Sequence, residues 1–238
     1  MPRPAPDHLS PAAVLPDDAG LTETGALVPA AAARVLLIAC GALAREIVDL
    51  RALNGWTHLE IACLPAKFHN TPDKIAPAAR AMIETRGAEF DRIFLVYADC
   101  GTGGDLQRLC DETGAQMMRG PHCYAFYEGV DAAAARGDTD MRAFYLTDFL
   151  VRQFEACVWK PLGLDRHPEL LPMYFGHYER LVYLAQVEDP ALETRARECA
   201  ARMGLSYERR LTGYGELATD LARVADEAVP AAKPDQPS

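Results

Sequence analysis

Apolar residues come in short unbroken runs along this chain, and three of those runs open the same series of segments. Residues 34–40 (RVLLIAC) lead into ALAREIVDLRALN and then to a second run at 59–64 (LEIACL). Residues 92–97 (RIFLVY) lead through GDLQRLCDETG to 115–118 (AQMM), and residues 180–185 (RLVYLA) lead through 191–203 to 205–209 (LSYER). Unbroken Val, Ile and Leu runs suit strands covered on both faces, as in parallel sheets, whereas a half-exposed antiparallel sheet alternates apolar with polar. The stretch between paired runs has the length of a crossover helix, so each copy reads as a βαβ unit.

Helix start and stop signals agree with this reading. Asp189-Pro190 sets a capping side chain ahead of a first-turn proline, and Gly204 stands where that helix would end in the left-handed conformation. Thr71-Pro72 opens PDKIAPAARAMIETRG, which closes at Gly87. Apolar positions 149, 150, 154 and 158 make the stretch from Thr147 to Trp159 an amphipathic helix linking the second and third copies.

The predicted fold is therefore α/β, with layered parallel sheets built from three related βαβ units at about 34–64, 92–123 and 180–210 and helical linkers at 71–87 and 147–179. The strands starting at Val35, Ile93 and Leu181 should run parallel, with their carboxyl ends facing a shared centre. Residues 1–33 mix Pro, Ala and acidic side chains without a sustained apolar period, so they read as a disordered arm. Residues 227–238 read as a disordered tail, because prolines remove backbone donors there. The folded body is 34–226.

Composition narrows the function. The 238 residues include 34 Asp and Glu against 24 Lys and Arg, a net charge of -10, with no basic cluster of the kind a phosphate backbone requires. No nucleic-acid partner is expected. No apolar run approaches the length of a membrane span, so no membrane partner is expected either. Seven cysteines is an odd number, and the chain does not open with a secretory pattern, so reduced thiols in the cytoplasm are expected.

Ligands of parallel α/β sheets bind beyond the carboxyl ends of the strands, and several thiols fall there. Cys40 follows the first strand and Cys100 the equivalent strand of the second copy. His122-Cys123 comes just after the second copy's last strand, and His69 a few residues after the first copy's. Cys40, Cys100 and Cys123, with either His122 or His69, would satisfy a tetrahedral zinc or anchor an iron-sulfur cluster. Cys63, Cys110, Cys157 and Cys199 lie inside strands or helices and read as core. The turn Gly101-Thr102-Gly103-Gly104 leads into a helix and could point amides at an anion, or serve only close packing; it lacks the Walker lysine and the dinucleotide fingerprint. Glu46, in the first helix, reads as an acid/base group or as a solvated helix glutamate.

The motifs Ala39-Cys40-Gly41, Phe68-His69-Asn70-Thr71-Pro72, Tyr97-Ala98-Asp99-Cys100-Gly101-Thr102-Gly103, His122-Cys123 and Phe144-Tyr145-Leu146-Thr147-Asp148 together resemble the domain of unknown function 1638 family, over roughly 34–217. That family's pattern has Leu-His-Asn and His-Asp-Cys where this chain has Phe68-His69-Asn70 and Pro121-His122-Cys123. The resemblance implies an association with corrinoid-dependent methyltransferases for methylated amines, and so a corrinoid protein or methyltransferase as partner.

Three readings follow. The first is a cytoplasmic metal-binding protein with zinc or an iron-sulfur cluster at the strand ends, supporting corrinoid-dependent methyl transfer. The second is a cofactor-independent two-cysteine racemase or epimerase, in which one thiolate removes a proton and the other thiol returns it. The third is a noncatalytic partner with a structural metal.

Overall fold

The computed structural model describes residues 15–31, 33–136 and 141–228. Two sheets carry the fold. Strands β2 (Val35–Cys40), β3 (Leu59–Leu64), β4 (Arg92–Val96) and β5 (Gln116–Met117) form a parallel sheet, and β1 (Ala26–Val28) adds an antiparallel edge, in the order β1-β3-β2-β4-β5. Strands β6 (Ala143–Thr147), β7 (Arg180–Ala185) and β8 (Ser206–Leu211) form a second, wholly parallel sheet in chain order.

Every residue of β2 and β3 is buried, which is why their sequences run apolar without alternation, apart from Glu60, whose carboxylate is paired with Arg86. The helix Ala44–Asn54 connects them and ends on Gly55, whose φ is 65°. Between β7 and β8 the helix Pro190–Met203 is capped as its sequence indicates: Asp189 accepts from the amides of Ala191 and Leu192, and Gly204 closes the helix at φ 71°. The helix Asp105–Thr113 connects β4 to β5.

The three strand–helix–strand segments thus each form a parallel pair, but they do not share one sheet. Two lie in the first sheet and the third lies in the second. The linker at 147–179 is also preceded by a strand, β6, that the helical reading omitted. Its residues, Ala-Phe-Tyr-Leu-Thr, have the aromatic and β-branched character that suits a pleated surface. The expected helix from Thr147 to Trp159 is a short helix, Asp148–Arg152, followed by a π-helical turn over Glu155–Trp159.

The segment expected as an arm is corrected for residues 15–31; residues 1–14 lie outside those described. Asp17 accepts from the amide of Gly20 at 2.8 Å and starts the helix Asp18–Glu23. Leu21 from that helix is fully buried in the first core. Asp18 then binds two arginines at once, Arg45 Nε and Arg152 Nε each at 2.7 Å, and so ties the helix after β2 to the helix after β6. After the left-handed turn at Gly25, β1 pairs with β3; a Cβ at Gly25 would stand 1.9 Å from the Cys63 carbonyl oxygen. Leu21 and Val28 are buried and Leu15 and Ala26 pack against the core, while Leu27 stays exposed. Of the expected tail, Glu227 and Ala228 belong to the helix Gly215–Ala228, and 229–238 lie outside the described residues.

That last helix returns from β8 to the first sheet and contributes Leu217, Leu221, Val224 and Ala225 to its core. Phe149 and Cys157, which follow β6, belong to the same core. The two sheets are therefore packed against each other by residues that lie beyond the second sheet's own strands. No helix among the described residues is long and apolar enough to cross a membrane.

Because Leu21 fills a fully enclosed position, Leu21→Ala should lower the free energy of unfolding in urea by about 2–4 kcal/mol, the usual cost of such a cavity. Unchanged stability would return residues 15–31 to the status of an arm.

Candidate thiol site between the two sheets

In the first sheet the chain leaves β2 toward β3 on one side and β4 toward β5 on the other. The loops after β2 and β4 must diverge, and a crevice opens between them at the carboxyl edge. Cys40 is the last residue of β2 and Cys100 follows β4 by four residues. Asp99 N–H donates to the Gly120 carbonyl at 3.0 Å and Cys100 N–H to the Pro121 carbonyl at 2.9 Å, so the turn after β4 is laced to the segment that carries Cys123. The two sulfurs meet at 2.8 Å.

Cys100 has φ 49°, which among the described residues no other side-chain-bearing residue shares in sign. Strain of this kind concentrates at functional positions. The glycine turn beyond it does not form the expected anion cradle. The Asp99 carboxylate already accepts from Gly104 N–H at 2.7 Å, Gly103 N–H at 3.3 Å and the Thr102 hydroxyl at 3.2 Å. These bonds, that from Gly104 first, hold the Asp99 carboxyl below its ordinary range. Gly101, Thr102, Gly103 and Gly104 therefore cap an internal anion, and an acid placed immediately upstream is the signal that predicts it.

A cavity of about 270 Å³ lies over the two sulfurs. Cys40, Cys100, Cys123, His69 and His122 all line it, so the sequence-selected thiols and imidazoles do converge on one space. His69 arrives on the 3₁₀ turn Ala66–Asn70 after β3. The opposite wall comes from the second sheet: Thr147, the last residue of β6, with Phe149, Leu150 and Cys157. Asn70 Nδ2 donates to the Cys157 carbonyl at 2.9 Å and joins the two walls. Cys157 was read as a core residue, and it does belong to the core, but it also faces the cavity. Its π-helical turn, a feature often met at functional sites, is not visible in residue spacing.

Among the described residues no Lys, Arg, Asp or Glu lines this cavity, and its ionisable groups are shifted accordingly. The Cys123 thiol, donating to Cys100, holds the Cys100 thiol below its ordinary value against the cost of burial, with help from the Cys123 and Ala98 amides. Cys123 moves the opposite way, raised by that same bond and by burial. Burial pushes the Cys40 thiol up to about 12. It also lowers His69 and His122, leaving both imidazoles neutral at physiological pH. The Tyr127 hydroxyl is buried without a hydrogen-bond partner, the Tyr97 hydroxyl stands against the Cys40 thiol, and both residues line the cavity.

Only part of the expected metal constellation is closed. Among the described residues no three His, Cys, Asp or Glu side chains form a group that could hold a metal ion. Cys100 and Cys123 touch, whereas Cys40, packed among the core residues at the end of β2, stands in the cavity wall.

Glu46 does not line the cavity, and it is not the solvated helix residue that one sequence reading allowed. It is 4% exposed, and its Oε2 lacks a hydrogen-bond partner. Burial raises its carboxyl to about 7; its own amide and Arg152 oppose this, while Asp148 and Asp49 add to it. Asp148, which sequence reasoning did not select, is buried beside it and accepts from the Tyr183 hydroxyl at 2.6 Å and from the amides of Gln186 and Val187 at 3.2 Å. Burial, and then the Glu46 and Asp148 carboxyls and the Cys123 and Cys40 thiols, raise the Tyr127 hydroxyl.

A family model described as a protein of unknown function (DUF1638) matches residues 63–221. The matched span holds His69, Cys100, His122, Cys123 and Cys157, and leaves Cys40 and Glu46 outside. No curated protein and no solved structure gives a significant match.

The Glu46 shift has a measurable sign. The folded chain keeps this proton up to about pH 7, while the unfolded chain releases it near 4.5. Stability from this group is therefore full below pH 4.5 and declines as pH rises toward 7. Glu46→Gln should remove that decline, so that relative to the parent it gains at most about 3 kcal/mol between acid and neutral pH. Parallel urea titrations across that range check this, and equal pH slopes for the two proteins would contradict it.

Proposed function

Since the chain belongs to the DUF1638 family of unknown function, the chemistry of its cavity has to supply the reading, and we propose that the protein binds a soft metal there, as zinc or as an iron-sulfur cluster, through Cys100 and Cys123. Cys40 and one of His69 or His122 are the further donors. One observation carries the proposal: four cysteines, Cys40, Cys100, Cys123 and Cys157, and two imidazoles line a single cavity that no Lys, Arg, Asp or Glu among the described residues enters. Thiolates crowded into such a space repel one another and are penalised by burial, and a bound cation is what would offset both.

Each side chain has a part in this reading. Cys100 is the thiol nearest to ionisation and the first to bind. Cys123 and then Cys40 lose their protons only as positive charge arrives. The histidines are already in the neutral form a metal requires. Leu43, Ile75, Phe149 and Leu150 make much of the wall apolar and limit the entry of water. Tyr127 offers a hydroxyl donor to whatever shares the cavity. A bound metal would supply Lewis-acid or electron-transfer chemistry.

Structural metal sites are closed by their protein ligands, whereas these donors line an open volume, which favours a working site over a purely structural one. Two observations weigh against the racemase reading. That reading pairs Cys40 with Cys100, and burial pushes the Cys40 thiol up to about 12, which makes it a poor base for one of the two directions of proton transfer. No cation or free glycine-turn amide awaits a substrate carboxylate, because Asp99 takes the Gly103 and Gly104 amides. The corrinoid protein or methyltransferase implied by the family resemblance is the partner that belongs with this proposal.

Protein purified without oxygen should contain stoichiometric zinc, or iron with acid-labile sulfide and visible absorption. Cys100→Ser and Cys123→Ser should each lose it, while Cys199→Ser, away from the cavity, retains it. Parent protein that takes up neither metal, or single replacements with full metal content, would contradict the proposal.

A further inference from the structure

Of the seven cysteines, Cys100 and Cys123 alone are partly exposed; Cys40, Cys63, Cys110, Cys157 and Cys199 are buried with their thiols pushed upward. The two accessible thiols are also the two in contact, at 2.8 Å. Their approach does not depend on chance side-chain positions, because the backbone segments that carry them are joined by two hydrogen bonds, Asp99 to Gly120 and Cys100 to Pro121. We propose that Cys100 and Cys123 are a reversible oxidation site, in which Cys100 reacts first with a low-molecular-weight disulfide and Cys123 then closes an intramolecular disulfide.

The steps balance as thiol–disulfide exchange. The Cys100 thiolate attacks one sulfur of an external disulfide RSSR; the RS–SR bond breaks, a Cys100–SR bond forms and RS⁻ departs. Release of negative charge from Cys100 removes what held the Cys123 proton in place. Cys123 gives up that proton and its sulfur attacks the Cys100 sulfur; the Cys100–SR bond breaks and the second RS⁻ leaves with the proton. Two protein thiols are oxidised and one external disulfide is reduced to two thiols. Reduction by excess thiol runs the same steps backwards.

Local structure favours this order. Cys100 is partly exposed in the cavity wall, on a turn that takes it to φ 49°, where an external disulfide can reach it. Cys123, also partly exposed, lies against the sulfur it must attack. The inference stands on these two sulfurs and needs no metal. Where the metal reading also holds, the disulfide and the metal compete for the same atoms.

The test uses the full chain, incubated at neutral pH with excess oxidised glutathione, with and without a chelator, then quenched in acid, alkylated and mapped by peptide mass spectrometry. The parent should lose two of its seven alkylatable thiols and yield one cross-linked peptide pair, Cys100 with Cys123, which excess dithiothreitol removes. Cys123→Ser should stop at glutathione on Cys100, and Cys100→Ser should give neither product. Full alkylation of the parent with the chelator present, or stable glutathione on Cys100 without the cross-link, would overturn the proposal. Metal content measured on the same samples reports separately on the metal reading, since the cross-link is expected whether or not metal is found.

Discussion

Parallel strands β2 and β4 lie side by side and send the chain in opposite directions. Their loops cannot fill the space between them, and that unfilled edge is what the remaining structure is built around. The sharp turn at Cys100 and its hydrogen bonds to 120–121 bring Cys123 back over the edge, and the 3₁₀ turn after β3 brings His69. The second sheet covers the crevice by directing the end of β6, and the π turn that follows, onto the same opening. A crevice that would otherwise face solvent becomes a cavity between two sheets.

Charge is excluded from this cavity but gathered close behind it. Asp99 is satisfied by its own glycine turn, and Asp18 by Arg45 and Arg152, so neither contributes a free carboxylate. Glu46 and Asp148 are buried beyond Tyr127. A space so arranged favours neutral imidazoles and protonated thiols, with one exception at Cys100, where a neighbouring thiol and two amides stabilise the anion. Both the soft-metal reading and the disulfide begin from that exception, since each needs one sulfur ready to react and a second within reach.

Much of the architecture was legible because parallel strands buried on both faces leave a direct mark, the unbroken apolar runs of β2, β3, β4 and β7. Strands with weaker marks escaped. β1 has three residues and is held by a left-handed glycine and an antiparallel edge, and β6 is rich in aromatic residues that suggested a motif more than a strand. The split of the three strand–helix–strand segments between two sheets depends on sheet membership, which local pattern does not carry. The convergence of Cys40, Cys100, Cys123, His69 and His122 was legible from the strand-end rule alone. The loss of Gly103 and Gly104 to Asp99 is a local competition, visible in sequence once the upstream acid is weighed. The burial of Glu46 and the exposure of Cys157 to the cavity both arise from the second sheet packing on the first, a tertiary event that neither helix spacing nor cysteine spacing encodes.

The central claim is that sulfur from the edge of the first sheet forms the first coordination shell of a metal. X-ray absorption at the metal edge, recorded on protein loaded without oxygen, tests it most directly. The account predicts a shell dominated by sulfur, at about 2.3 Å if the metal is zinc, with intensity that falls in Cys100→Ser. A shell of nitrogen and oxygen alone, in protein shown to be folded and loaded, would contradict it.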